Sequence, residues 1–424
     1  MEIILKDVRS LCGSHRIPLK PLTLLVGENS TGKSTFLAMV AHVNQLGYPS
    51  TRPTFNIPPF DLGTYDSIAT YKGGRYGRAD SFSVGFSNEE KEGERTLVVT
   101  YASHRGQPQV KDVEVSSPFG QLSIQILQES HTAHVNAKFQ GGRTLEFDVD
   151  MSQLGTQETD VPFYSLLRLV PDPGKKAAPL AAYPDLFLTL VRMLRRVGSP
   201  VLALAPVRTQ PRRTYDEFSE EFDPEGDHVP VLLARLWQED EADKATLMEA
   251  LNKFGVSSAL YKRISVRRLG RRPTDPFQIL VTMAGPPVNI PDVGYGVSQA
   301  LPIVVQSVLA GKEGMLLLQQ PEVHLHPRAQ AALGSFFAQL VASEKKHLVI
   351  ETHSDYLLDR VRLEVAQGTL PADKVQILFF EKLGIETVVH QIRLDKHGNV
   401  EGAPGSYRRF FLEEEENLFS RAEE

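Results

Sequence analysis

The chain has 424 residues, of which 41% are hydrophobic and 23% charged. That is the balance of a globular protein with a substantial core, and the length predicts two or three lobes. A formal net charge of −6 argues against a protein that coats nucleic acid over its whole surface, while leaving room for a local basic site. The single cysteine, Cys12, excludes an internal disulfide framework and fits a reducing cytoplasm. The N-terminus lacks the layout of a signal peptide, and no apolar run approaches the roughly 20 residues that span a bilayer, so no membrane is expected.

In chain order, Ile3-Ile4-Leu5 and Leu22–Val26 predict strands, and Lys33 to Leu46 predicts a helix with Phe36, Leu37, Val40 and Val43 at helical spacing. Between Asp61 and Asp150, alternating segments such as Phe82–Phe86, Thr96–Tyr101 and Thr144–Val149 predict antiparallel strands. Helical runs follow at Tyr183–Val197 and His228–Phe254, then a strand pair at Ile264–Val266 and Phe277–Val281. The last third alternates again. A helix from Ser298, with Pro302 in its first turn, precedes a strand at Met315–Leu318 and a helix at Arg328–Ser343. The strand Leu348–Ile350, a helix from Tyr356, and strands at Ile377–Lys382 and Val388–Leu394 close the chain. Heptads and internal repeats are absent from the sequence.

The strongest motif is Gly27-Glu28-Asn29-Ser30-Thr31-Gly32-Lys33-Ser34-Thr35, which fits G-x4-G-K-[ST] without a mismatch. Glycines let the loop curl so that backbone N–H groups point at phosphate, and the following helix adds its positive end. Lys33 is suited to reach the β- and γ-phosphates of ATP, and Ser34 to offer its hydroxyl to Mg²⁺. An apolar strand before the loop and a helix after it supply the context this motif requires.

Three further segments give the loop its class: Asp292–Gln299, a Gly-rich turn opening a helix; Met315–Pro327, a buried strand ending in Gln319-Gln320-Pro321-Glu322-Val323-His324-Leu325-His326-Pro327; and Leu348–Ser354, a strand ending in Thr352-His353-Ser354. This order resembles the ABC-type ATPase heads, specifically the soluble OLD-like and recombination-repair branch, in which Pro-Glu-x-His-Leu-His-Pro is a hallmark. Phe60–Tyr65, Ala205–Arg208 and Arg213–Tyr215 look like further blocks of that branch. The resemblance implies an α/β fold: an ABC-ATPase head, with a mixed sheet, flanking helices and an antiparallel β-subdomain, plus an inserted, largely helical lobe. Residues 1–150 would supply the N-terminal part of the head, 151–262 the lobe and 263–424 the C-terminal part.

The resemblance also implies that two heads sandwich ATP as a homodimer. The signature turn, with Gly294, Gly296, Ser298 and Gln299, would then meet the γ-phosphate held by the partner's loop. His353 matches the switch histidine that senses the γ-phosphate. His324 and His326 lack further ligands at zinc spacing and are expected to be structural or interface residues. The chain departs from the family at Gln319 and Gln320. The pattern has an acid at 319 to hold Mg²⁺ and usually one at 320 to polarise the attacking water, and an amide is poor at both tasks. Three readings stay open: a Glu-to-Gln trap introduced at Gln319, a naturally slow ATPase, or Glu322 or Glu351 standing in as base. The first is preferred, because some branches carry Glu-Gln there and only one acid need be lost.

Lys262, Arg263, Arg267, Arg268, Arg271 and Arg272 form a basic cluster, a candidate nucleic-acid or acidic-partner surface set evenly against a solvated hairpin. Arg208, Arg212 and Arg213 form a second group, suited to reach nucleotide or to buttress the head. No acidic set with nuclease spacing follows His353, so the resemblance implies a separately encoded effector, a nuclease or toxin, in bacterial anti-phage defence. The alternatives are a DNA repair or recombination ATPase and a nucleotide-dependent scaffold without turnover.

Overall fold

Alternation of apolar and polar residues between Phe82 and Val149 produces half-buried antiparallel strands, and the continuous apolar runs elsewhere produce strands buried on both faces. The computed structural model describes residues 1–46, 53–74, 77–91, 93–127, 132–142, 144–150, 170–172, 175–178, 201–216, 221–238, 241–272, 274–311, 314–344 and 346–407. The helix expected at 183–197 lies outside them. The chain divides into two compact units.

Unit 1 comprises Met1–Leu19, Ser34–Pro200 and Lys382–Val388. Its strands are β1 (Glu2–Val8), β2 (Leu11–Pro18), β4 (Ser81–Glu90), β5 (Gly93–His104), β6 (Gln107–Ser117), β7 (Gly120–Leu127), β8 (Thr132–Phe139) and β9 (Thr144–Asp150), with β3 belonging to unit 2. They form an eight-stranded sheet in the order β9-β8-β7-β6-β5-β4-β1-β2. Every neighbouring pair is antiparallel. Strand β4 is the exception to that half-burial, with every residue from Phe82 to Ser87 buried. Helix α1 (Lys33–Gln45) buries Phe36, Leu37, Met39, Val40 and Val43, and the short α2 (Tyr65–Ile68) buries Tyr65 and Ile68. From α1, His42 stacks on Phe55 at 4.1 Å and hydrogen-bonds the Tyr101 hydroxyl at 3.0 Å.

Unit 2 comprises Lys20–Lys33, Val201–Glu381 and Val389–Glu424. A seven-stranded sheet holds β3 (Leu22–Gly27), β10 (Val201–Leu204), β14 (Met315–Gln319), β15 (His347–Glu351), β16 (Val375–Leu383), β17 (Glu386–Leu394) and β18 (Val400–Glu401), in the order β10-β14-β15-β3-β16-β17-β18. The first five are parallel, and β17–β18 is antiparallel. The smaller β11 (Arg263–Arg268), β12 (Phe277–Thr282) and β13 (Val288–Asn289) form an antiparallel sheet of their own. Around these pack α3 (Val229–Leu236), α4 (Glu241–Ser258), α5 (Tyr295–Leu309), α6 (Pro327–Glu344) and α7 (Asp355–Ala366), with one continuous core running from Leu22 through Leu301 and Phe337 to Leu394.

The units do not follow the boundaries expected at residues 150 and 262. Val201–Leu204 pairs with Met315–Leu318 inside the mixed sheet, and α3 and α4 bury Leu233, Leu247, Leu251 and Phe254 in the same core. A second difference concerns α5. It starts at Tyr295, with Gly294 as its N-terminal cap residue, so Pro302 sits in the helix interior rather than in the first turn. Gly226 lies against the Pro302 ring, where a Cβ would approach to 2.7 Å.

Candidate nucleotide-binding site

In doubly wound sheets, ligands collect at the carboxyl ends of parallel strands. Here β3, β14 and β15 are parallel neighbours, and their ends carry the phosphate loop, Gln319 and Glu351. Gly27 has φ 138°, and a Cβ there would lie 2.3 Å from the Phe380 carbonyl oxygen, so only glycine lets the loop leave the sheet at this point. Ser30 and Gly32 also have positive φ, 61° and 96°, the curl that turns the backbone inward. Lys33 is 3% exposed and its Nζ donates to the carbonyls of Gly27 at 3.0 Å and Glu28 at 2.6 Å. Burial lowers its pKa, against the pull of Glu351 and Glu28. The Thr31 hydroxyl donates to the Glu28 carbonyl at 2.8 Å, closing the loop on itself. Asn29 is exposed, as is Ser34, and Thr35 accepts a hydrogen bond from Arg9 at 3.2 Å.

The second motif turns sharply. Gln319 ends β14 in register with Glu351, and Gln320 adopts φ 42° while its N–H donates to the Glu351 carbonyl at 2.8 Å. Glu322 is buried, and its Oε1 accepts the His353 N–H at 2.6 Å. Burial pushes its carboxyl pKa up, and hydrogen bonds and Arg208 act against that rise. His353 is exposed, and its pKa is lowered by partial burial and then by the charge of Lys33. Both causes favour the neutral form of the imidazole. His324, at φ 64°, packs edge-on against Tyr295 at 5.1 Å. His326 Nδ1 accepts the Arg328 N–H at 3.3 Å at the start of α6. Among the described residues no group of three His, Cys, Asp or Glu is placed to hold a metal.

In the signature turn, Gly294 and Tyr295 are exposed and Gly296 is half-buried. No side chain caps the start of α5. Ser298 and Gln299 turn inward: the Ser298 hydroxyl donates to the Tyr295 carbonyl at 2.8 Å, and Gln299 is fully buried. The exposed groups of the turn are therefore backbone ones plus the Tyr295 ring.

The basic residues do not share one face. Lys262, Arg263, Arg267, Arg271 and Arg272 are exposed, with Arg267 donating to Gln278. Arg268, on the opposite side of the pleat, turns in to the Asp275 and Ala234 carbonyls and lies over the Phe277 ring. Of the second group, Arg213 pairs with Asp292 at 2.5 Å and braces the segment next to the signature turn, while Arg212 pairs with Asp227 at 2.9 Å. Arg208 is buried beside the second motif. The sequence carried no signal for two ties: Glu322 to the His353 backbone, and the hydroxyl of Ser354, the residue that caps α7, donating to Gln330 at 2.6 Å. Both join residues far apart in the chain.

Residues 187–359 match the family described as "AAA domain, putative AbiEii toxin, Type IV TA system". A protein called "OLD nuclease" from Thermus scotoductus is 23% identical over 360 residues, 82% of this chain, and the chain spans 58% of that relative's length. Among solved structures, an SMC head domain bound to the C-terminal winged-helix domain of ScpA aligns with a TM-score of 0.44 and 12% identity over 93% of this chain and 98% of its own. The SMC head domain from Thermotoga maritima aligns with a TM-score of 0.40 and 10% identity over 93% and 98%. Alignments this loose add nothing to what the strand order says. The family matched over 187–359 and this relative agree with the resemblance of the sequence motifs to the OLD-like branch of the ABC-type ATPases.

Proposed function

We propose that this chain binds Mg-ATP, dimerises head to head around it, hydrolyses it slowly, and thereby controls a separately encoded nuclease or toxin in bacterial anti-phage defence. The observation that carries the nucleotide reading is Lys33, a buried ammonium resting on its own loop carbonyls within the field of His353. On binding, Lys33 exchanges those carbonyls for β- and γ-phosphate oxygens. The cradle suits a phosphate chain, because Gly27 leaves no side chain in the loop's path and α1 presents its N-terminal end. Ser34 and Gln319 are the candidates to hold Mg²⁺; they are a weak, neutral donor pair and would leave the ion held mainly by phosphate oxygens and water. The ion supplies charge neutralisation on the phosphates.

Slow turnover follows from the side chains at the second motif. The Gln320 amide orients a water but takes no proton from it, and Glu322 is already engaged with the His353 backbone. Dimerisation has the uncapped start of α5 at Gly294 in its favour, a helix N-terminus suited to an anion held by another copy. The toxin named in the family description and the nuclease named for the relative support the class of effector.

Titration with a fluorescent ATP and a steady-state phosphate assay test this reading. Lys33→Ala lowers ATP affinity by about tenfold or more, the loss of a charge-assisted contact. Gln319→Glu raises turnover. Hydrolysis that survives Lys33→Ala, or is unchanged by Gln319→Glu, overturns it. The Gln319-Gln320 pair also favours a second reading, in which ATP is a structural ligand of a lasting dimer. Sizing the chain over hours in ATP separates the two: the dimer decays as ATP is consumed in the first and persists in the second.

A further inference from the structure

Two buried charges behind the second motif have a geometry that phosphate binding alone does not explain. Arg208 follows β10 and is 1% exposed. Its Nη2 donates to the Gln319 carbonyl at 3.4 Å, while Nε and Nη1 have no partner among the described residues. Glu322 is 7% exposed; Oε1 accepts from His353 N–H, and Oε2 has no partner among the described residues. Both side chains are buried behind the turn from Gln319 to Glu322, and they carry opposite formal charges. A lone buried charge is strongly disfavoured, whereas two opposite charges out of water keep one another ionised. An ionised Glu322 makes its bond from the His353 N–H a charge-assisted one.

The contacts extend on both sides. The turn that follows Glu322 brings His324 onto Tyr295, at the start of α5, and Thr352, just before His353, is fully buried. We propose that Arg208 and Glu322 are a positioning pair: a buried charge couple that locks the second-motif turn to the His353 backbone and so sets His353 to tell ATP from ADP. The inference rests on the nucleotide reading above and deepens it. With amides at 319 and 320, the carboxyl group of the motif stands at Glu322.

The test has two readouts on the full chain. Thermal unfolding without nucleotide is measured for the native sequence, Arg208→Met, Glu322→Gln and the double variant. Each single change lowers the midpoint, and the double change lowers it by less than the sum, because neither partner is then left charged and alone. Additive losses overturn the pair. Titration with mant-ATP and mant-ADP follows. Glu322→Gln retains mant-ADP affinity within about twofold and shifts the ATP-to-ADP preference by about tenfold, with Glu322→Asp restoring part of it. An unchanged preference, or equal loss of both nucleotides, overturns the positioning role. A native chain that binds neither nucleotide refutes the ATP reading instead, and the melting data still decide the pair.

Discussion

At Gly27 the backbone runs at φ 138°, with the Phe380 carbonyl oxygen 2.3 Å from where a Cβ would stand. Gly27→Ala therefore combines strain with a backbone clash. It is expected to destabilise the chain by about 3 kcal/mol or more in urea unfolding and to abolish ATP binding. His42 makes a pH prediction. Burial holds its pKa down to about 4, while the unfolded chain titrates near 6.5. Above pH 6.5 both states are neutral and the native state keeps its full stability. As pH falls towards 4 the unfolded state gains a proton that the native state refuses, a loss of about 3 kcal/mol. His42→Gln flattens that slope, and a slope unchanged by the substitution rules His42 out as its source. The residue scale also marks where sequence reading succeeds. Gly27, Lys33 and His353 are legible because the chemistry demands one residue type at one spacing. The Glu322–His353 tie is not, because a side chain meeting a distant backbone N–H leaves no pattern in either segment.

Elements were legible where apolar runs were long, and less so at their ends. The parallel strands Leu316–Leu318 and Leu348–Ile350 stood out because strands buried on both faces are continuously apolar. Helix α5 was expected from Ser298 because Gly294-Tyr295-Gly296 reads as a turn, yet the turn is the helix's own first residues. The basic cluster looked contiguous in sequence, but the pleat of β11 sends Arg263 and Arg267 one way and Arg268 the other. The far end of α5 has a cap that no motif announced. Lys346, 1% exposed, donates to the Ser307 and Val308 carbonyls at 2.7 Å each and pairs with Glu344. A cation on the last carbonyls satisfies orphan acceptors and opposes the helix dipole. Lys346→Met leaves those carbonyls buried and unpaired. It is expected to cost about 2–4 kcal/mol in chemical denaturation, whereas a loss under about 0.5 kcal/mol removes the capping role.

At the scale of the whole chain, strands from both ends share the mixed sheet, where β3 lies between β15 and β16. The sequence order of motifs carried that information. The membership of Val201–Leu204 in the same sheet was illegible, since a four-residue strand beside a Pro-containing segment has no periodicity to read. Among the described residues no helix is long and apolar enough to cross a membrane. The placement of β3 also has a consequence during translation. Leu22–Gly27 leaves the ribosome early and waits for both neighbours, His347–Glu351 and Val375–Leu383, whereas the β4–β9 meander pairs each hairpin as it is made. Closing such long loops is slow. In refolding from denaturant, far-UV circular dichroism from the meander should therefore recover before the fluorescence of Trp237, the chain's single tryptophan, which packs on the unit 2 core. Recovery of both signals in one shared phase would show that the early strand does not wait.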